Sequence, residues 1–207
     1  MGMNQSIAAS TARYAITMQG KIRIISGRWR GRKLTVADAP GLRPTGDRAR
    51  ETLFNWLGPR VIGARCLDLF SGSGALGLEA VSRGAASAVL VERSASVMAT
   101  LRKQVSDWPD INKVQFVQAD VLAWLDSATG SFDLVFIDPP FEQALQQVVL
   151  ERLLSRGLLA EDGQLYLESP RQQDELDLAA LALPIERLRS KNQGQIRMDL
   201  LARTAAV

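Results

Sequence analysis

The chain has 207 residues, 46% of them hydrophobic and 23% charged, which suits one large domain with its own buried core. No apolar run approaches the ~18 residues needed to span a membrane, and histidine is absent, removing the commonest general base and the commonest metal ligand. A single cysteine, Cys66, permits no internal disulfide and points to a reducing compartment, taken as the cytoplasm.

The net charge of +3 conceals a division. Residues 1–65 hold 12 Lys/Arg against 3 Asp/Glu, whereas residues 66–207 hold 13 against 19. Nine of the basic groups fall between Lys21 and Arg50. Such asymmetry fits a phosphate-binding arm joined to a catalytic body.

In chain order, residues 1–20 are acid-free, rich in Ser, Ala and Thr, and have no run long enough for a secretory signal. They read as a disordered extension, with Met18 an alternative start. Residues 21–44 predict a basic β-hairpin: Ile22, Ile24 and Ile25 in one strand, Leu34 to Val36 in the other, and the Gly27–Gly31 turn between them. Its Arg28, Trp29, Arg30, Arg32 and Lys33 are the expected nucleic-acid contacts, since the glycines allow close backbone approach and Trp29 could stack on a base.

Residues 45–207 form the expected catalytic domain. It opens with a helix over 47–57, with Ala49, Leu53 and Trp56 inward, Arg48, Glu51 and Asn55 outward, and Gly58-Pro59 as the stop. Strands at 65–70, 87–92, 114–118, 132–137 and 164–168 then alternate with helices at 74–83, 94–106, 120–127 and 142–155. Alternation of this kind predicts an α/β fold, a mostly parallel sheet with helices on both faces. Residues 184–190 and 195–202 flank Lys191-Asn192-Gln193-Gly194 and read as a closing antiparallel hairpin, making seven strands.

The motifs sit at strand ends. After the first domain strand, Gly72, Gly74 and Gly77 satisfy the G-x-G-x-x-G pattern of nucleotide-binding turns. Pyrophosphate at such a turn wants backbone N–H groups and no carboxylate nearby. Asp68, four residues before Gly72, would repel it and suit the cationic amino-acid end of S-adenosylmethionine instead; its bland reading is a helix or turn cap. Glu92 ends the next strand, where a carboxylate accepts from ribose hydroxyls in either kind of site. Asp120 follows the third strand and could accept from an adenine amino group, or serve only as a helix N-cap.

Asp138-Pro139-Pro140-Phe141 follows the fourth strand. The two prolines forbid helix and lock an extended turn, so the Pro139 carbonyl and the Asp138 carboxylate can converge on one amino group. Two acceptors holding the hydrogens of an exocyclic base nitrogen favour a pyramidal nitrogen and aim its lone pair at a methyl donor, while Phe141 can stack on the base. No strong base is needed, because nitrogen becomes acidic once methylated.

Asp-Pro-Pro-aromatic after a fourth strand resembles the signature of amino-group methyltransferases acting on DNA or RNA. More narrowly, the run from Arg23 to Leu57 is similar to the family of bacterial 16S ribosomal RNA guanine-N2-methyltransferases named for guanine 966, and the similarity extends to the Lys191–Gln195 turn. The resemblance implies a Rossmann-like class I methyltransferase fold, S-adenosylmethionine as cofactor and ribosomal RNA of the small subunit as substrate, assembled or assembling, with the chain acting as a monomer. Carried over to matching positions, it implies that Thr45, Arg48 and Arg50 wall the methionine end, although Arg48 and Arg50 could equally face RNA phosphates. Asp68, Phe70, Gly72 and Gly74 would surround the methionine portion, Glu92 the ribose, and Asp120 with Val121 the adenine. Asp138, Pro139, Pro140 and Phe141 would hold the guanine. Gly46 departs from the family, which has a bulkier residue there; the change should touch the start of the helix more than the chemistry. Other readings stay open: a DNA adenine-N6 methyltransferase, which would want a larger target-recognition insertion; a nicotinamide-dependent oxidoreductase, which leaves Asp138–Phe141 unexplained; and, as the residual reading, a non-catalytic RNA-binding protein.

Overall fold

The structure, a computed structural model, describes residues 18–37, 46–140, 144–173, 176–181 and 183–204. Thr45, Phe141 and the extension before Met18 lie outside the described residues. An antiparallel pair, β1 (Met18–Arg23) and β2 (Lys33–Ala37), precedes α1 (Asp47–Leu57). There follow β3 (Arg65–Asp68), α2 (Ala75–Ser82), β4 (Ser87–Glu92), α3 (Ala95–Val105), β5 (Val114–Gln118), α4 (Val121–Ser127) and β6 (Phe132–Ile137). The chain closes with α5 (Gln146–Ser155), β7 (Leu159–Pro170), β8 (Ile185–Gln193) and β9 (Ile196–Arg203).

Seven strands form one sheet in the order β5-β4-β3-β6-β7-β9-β8, parallel from β5 to β7 and antiparallel through β9 and β8. The chain winds outward from β3 to β5, then returns to lay β6 on the other side of β3. This reversal creates a switch point between β3 and β6, and crevices at the carboxyl ends of such strands are where ligands bind in open α/β sheets.

Period-two alternation sends side chains to two cores. Cys66, Leu90, Phe136, Tyr166, Met198 and Leu200 join α1, α2 and α3 on one face; Leu67, Val135, Ile137, Leu167 and Leu201 join α4 and α5 on the other. Phe54 of α1 reaches the sheet at Phe136, with ring centroids 6.2 Å apart. Gly77 lets α2 lie close against β4, because a Cβ there would come within 2.6 Å of Leu90 Cδ1.

The elements differ from the sequence expectation chiefly at their ends. Helix α5 starts at Gln146 rather than 142, because Ala144 has φ 44° and breaks the helical path. Strand β7 starts five residues early, at Leu159. Gly46 is the N-cap of α1 and, having no side chain, supplies no side-chain cap.

The N-terminal hairpin is fused to the domain rather than set apart from it. Ile24, Trp29 and Leu34 belong to the same core as α1, α2 and α3. Gln104 of α3 accepts from the Thr35 amide at 2.6 Å and donates to its carbonyl at 3.1 Å, standing in for a neighbouring strand. At the turn, Arg28 N donates to Ser82 O at 2.7 Å. Gly27 (φ 80°) is obligatory there, since a Cβ would stand 1.8 Å from that same carbonyl oxygen.

Candidate active site

The carboxyl ends of β3, β4, β5 and β6 present Asp68, Glu92, Asp120 and Asp138 in a row. Asp68 is 2% exposed and accepts from Gly77 N at 3.0 Å, tying the strand end to the first turn of α2. The capping role weighed for this residue is therefore real, and it occupies Oδ2. Burial pushes the Asp68 carboxyl up to about 7, helped by the charges of Asp138 and Glu92 and opposed by the Gly77 and Phe70 amides. Asp68 thus faces Asp138 across the switch point.

Glu92 grips the glycine loop: Oε2 accepts from Gly72 N at 3.1 Å and Oε1 from Ser94 N at 2.6 Å. Gly74 caps α2 and its amide donates to Ser71 O at 2.6 Å. Phe70 is half-buried against the α4–α5 core. Asp120 is the N-cap of α4, with Oδ1 accepting from Leu122 N at 3.0 Å and Ala123 N at 3.3 Å. The Val121 side chain packs into the core beside Leu125. Each carboxylate oxygen has two acceptor sites, so these contacts leave capacity for a ligand.

Asp138, Pro139 and Pro140 leave the end of β6 without helix or strand. Beside them on β7, Tyr166 donates to Glu168 Oε1 at 2.6 Å, both buried, and burial next to Glu168 pushes the Tyr166 phenol well above its usual range. Gln146 of α5 donates to Glu168 O at 3.4 Å. Sequence reading passed over this Tyr166–Glu168 pair; its signal was two polar groups spaced i, i+2 in an otherwise apolar strand.

Two assignments are corrected. Trp29 is 1% exposed, so it cannot stack on a base: its indole donates to Pro109 O at 2.8 Å and packs edge-on against Trp108 at 5.2 Å. Arg50 is fully buried and does not face the cofactor crevice. Its guanidinium donates to Arg23 O at 3.0 Å and Asp47 Oδ1 at 2.6 Å and lies 3.5 Å from Glu79. Glu79, also buried, accepts from Ile25 N, Ser26 N and Arg83 Nε, so one carboxylate holds hairpin, α1 and α2 together.

The other basic residues divide. Arg28 pairs with Asp110, and the Arg32 guanidinium lies 5.1 Å above the Trp108 ring. Arg30, Lys33 and Arg48 are exposed. Ser82 ends α2 and Asp110 precedes β5, so the hairpin turn sits at the amino ends of the strands, opposite the crevice. Arg48, in the first turn of α1, is on the crevice side.

An open parallel sheet closed by an antiparallel hairpin, with acids at successive strand ends and a proline-locked turn at the switch point, defines the class: this is a methyltransferase of class I fold. The chain belongs to the family described as Conserved hypothetical protein 95, which matches residues 22–202. It is 48% identical over 150 residues to Ribosomal RNA small subunit methyltransferase D of Escherichia coli (strain K12), covering 72% of this chain and 75% of that one. The Haemophilus influenzae protein of the same name is 39% identical over 156 residues, 74% of this chain and 81% of the relative. Among solved structures, the Escherichia coli protein yhhF superposes with a TM-score of 0.78 at 41% identity, covering 90% of this chain and all of that one.

Proposed function

We propose that this methyltransferase uses S-adenosylmethionine to methylate the N2 amino group of a guanine in 16S ribosomal RNA, acting as a monomer on the assembled or assembling small subunit. The observation that carries the reading is the juxtaposition of Asp138-Pro139-Pro140 with buried Asp68 across the β3–β6 switch point. The donor set fits the cofactor. Asp68 suits a cationic amino group, Glu92 a pair of ribose hydroxyls, and Asp120 an adenine amino group. Three carboxylates along one crevice would repel a pyrophosphate, which disfavours a nicotinamide cofactor. The names of the relatives support ribosomal RNA of the small subunit over DNA.

When bound, S-adenosylmethionine supplies an electrophilic methyl group. The chain's own work is orientation. The Pro139 carbonyl and the Asp138 carboxylate accept the two hydrogens of the guanine amino group, hold it pyramidal and turn its lone pair toward the donor side of the crevice. Phe141 would stack on the base. Asp138 is partly exposed and takes the proton that the methylated nitrogen sheds.

The test is methyl transfer to small subunits purified from a strain lacking the gene, with the product nucleoside identified by mass spectrometry. N2-methylguanosine is expected, and another nucleoside would overturn the base assignment. In the same assay Asp138→Ala should lose turnover by at least about a hundredfold, as for a lost preorganised contact, with cofactor affinity retained. Wild-type turnover in that variant removes Asp138 from the mechanism.

Asp68 adds a pH test. Its folded-state value is about 7, well above that of a free carboxyl, so folding takes up a proton between about 4 and 7. Stability of the cofactor-free protein should therefore fall as pH rises through that window. A cationic ligand favours the ionised form, so cofactor affinity should climb over the same range. Denaturant melts and calorimetric titrations at pH 5.5 and 8 measure both. Asp68→Asn should flatten both slopes, and a variant retaining the wild-type slopes rules out Asp68 as their source.

A further inference from the structure

The closing hairpin carries cations that the methyl-transfer chemistry does not use. Strand β8 reads Ile185-Glu186-Arg187-Leu188-Arg189-Ser190-Lys191-Asn192-Gln193 and forms the outer edge of the sheet. In an unbroken strand, Arg187, Arg189 and Lys191 would share one face. They do not, because the register shifts between Arg187 and Arg189, with Leu188 as the extra residue. Arg187 pairs across from Leu201 and turns toward buried Asp199, 3.3 Å away. Arg189 and Lys191 are thrown onto the other face, opposite Leu200 and Met198.

That other face is the one carrying the candidate site. Ile137 is in register with Leu167, so Asp138 falls beside Glu168; Glu168 pairs with Met198, and Met198 with Lys191. Asp138, Glu168, Met198 and Lys191 thus form one row across four neighbouring strands. Three strand spacings put the Lys191 backbone about 14 Å from Asp138, within reach of a nucleotide or two along a bound strand. At the end of β7, Arg171 donates its amide to Gln195 O at 2.8 Å, which places it beside the β8–β9 turn. Arg171, Arg189 and Lys191 are exposed, and none has a side-chain hydrogen bond or ion pair among the described residues.

Cations on an edge strand also discourage edge-to-edge pairing. That role has no preference for a face. Here the positions beyond the bulge split by charge: Arg189 and Lys191 on the site face, neutral Ser190 and Asn192 on the other. A charge stripe on one face, in line with a base-binding turn, matches a polyanion lying across the sheet edge.

We propose that Arg189 and Lys191, flanked by Arg171, form a phosphate-binding arm that guides the RNA strand into the Asp138 site across the β8 edge, and that the Leu188 bulge is what aims it. This rests on the reading of the chain as an RNA methyltransferase. The test compares wild type with Arg189→Gln/Lys191→Gln, using sedimentation binding to small subunits purified from a strain lacking the gene, over a salt series, alongside cofactor titration and thermal melts.

The double variant should melt and bind cofactor as wild type does. Its affinity for subunits should fall at least about tenfold at low salt, and the slope of log K against log salt should shrink by between about 1.4 and 1.8, the signature of two lost phosphate contacts. Wild-type affinity and slope in the variant, in an enzyme that methylates 16S RNA normally, overturn the arm and leave the activity standing. A wild type that binds RNA through this arm but transfers no methyl keeps the arm and sinks the activity. A wild type that does not bind small subunits at all sinks both.

Discussion

The two hairpins at the ends of the chain are alike in kind and opposite in use. Both are antiparallel pairs rich in arginine and lysine; the first packs with the layer of α1, α2 and α3, and the second forms one edge of the sheet. In the first, three of the cations meet partners inside the molecule, with Arg23 reaching Asp47, Arg28 reaching Asp110 and Arg32 lying over Trp108, while Arg30 and Lys33 stay exposed. In the second, Arg187 and Arg197 turn to buried Asp199, and Arg189 and Lys191 face solvent on the side of the sheet that carries Asp138. The hairpin with the greater charge in the sequence is thus the more structural one. Density of charge along a chain says little about delivery of charge to a ligand; what decides is whether acids and aromatic rings from elsewhere in the fold are waiting for it.

The sharpest way to break this comparison is Trp29→Ala. A buried indole that fills the junction of hairpin, α2 and α3 and satisfies Pro109 O should cost about 3–5 kcal/mol when removed, read as a lower urea midpoint with little change in slope. Were Trp29 instead a base-stacking residue, the variant would keep its stability and lose RNA affinity. That outcome would reverse the roles assigned to the two hairpins.

Most elements were legible because each obeys one local rule. Strands β4, β5 and β6 have the bounds read from the sequence, since alternating or continuous apolar runs end at turn residues. The four carboxylates were found because each ends a strand, a position the pattern marks. The hairpin misled for a reason that is equally physical. Trp29 is buried by Trp108 and Pro109, some 80 residues away in sequence, and nothing near Trp29 announces them. Glu79 sat unnoticed in a helix, although its partners Ile25, Ser26 and Arg50 make it the node that docks the hairpin. Arg50 was placed on the cofactor for the same reason: an arginine on an amphipathic helix reads as exposed until a buried acid is known to face it. The bulge at Leu188 has no sequence signature either, yet it sets which cations face the site.

The smallest expected effect is the most discriminating. Arg30 and Lys33 are exposed, and no ion pair holds either among the described residues. Neutralising both, as Arg30→Gln/Lys33→Gln, should leave stability within about 0.5 kcal/mol, as for surface changes away from special contacts. Arg30, in the turn near the amino ends of the strands, stands about 20 Å from the crevice, the length of a six-residue strand such as β4. Lys33 is nearer, two residues from Thr35, which lines a small cavity with Gly72 and Ser73. An RNA long enough to wrap the protein could still touch them, so a modest loss of affinity, about threefold or less, fits the scheme. The ordering carries the argument. The change at Arg189 and Lys191 must exceed the change at Arg30 and Lys33 in both affinity and salt slope, although each pair removes the same formal charge. If the two variants lose affinity equally, only net charge matters and neither hairpin is an arm. If the first hairpin loses more, the RNA runs along the lower edge of the sheet, and the target base must reach Asp138 by a path that this arrangement of cations does not mark.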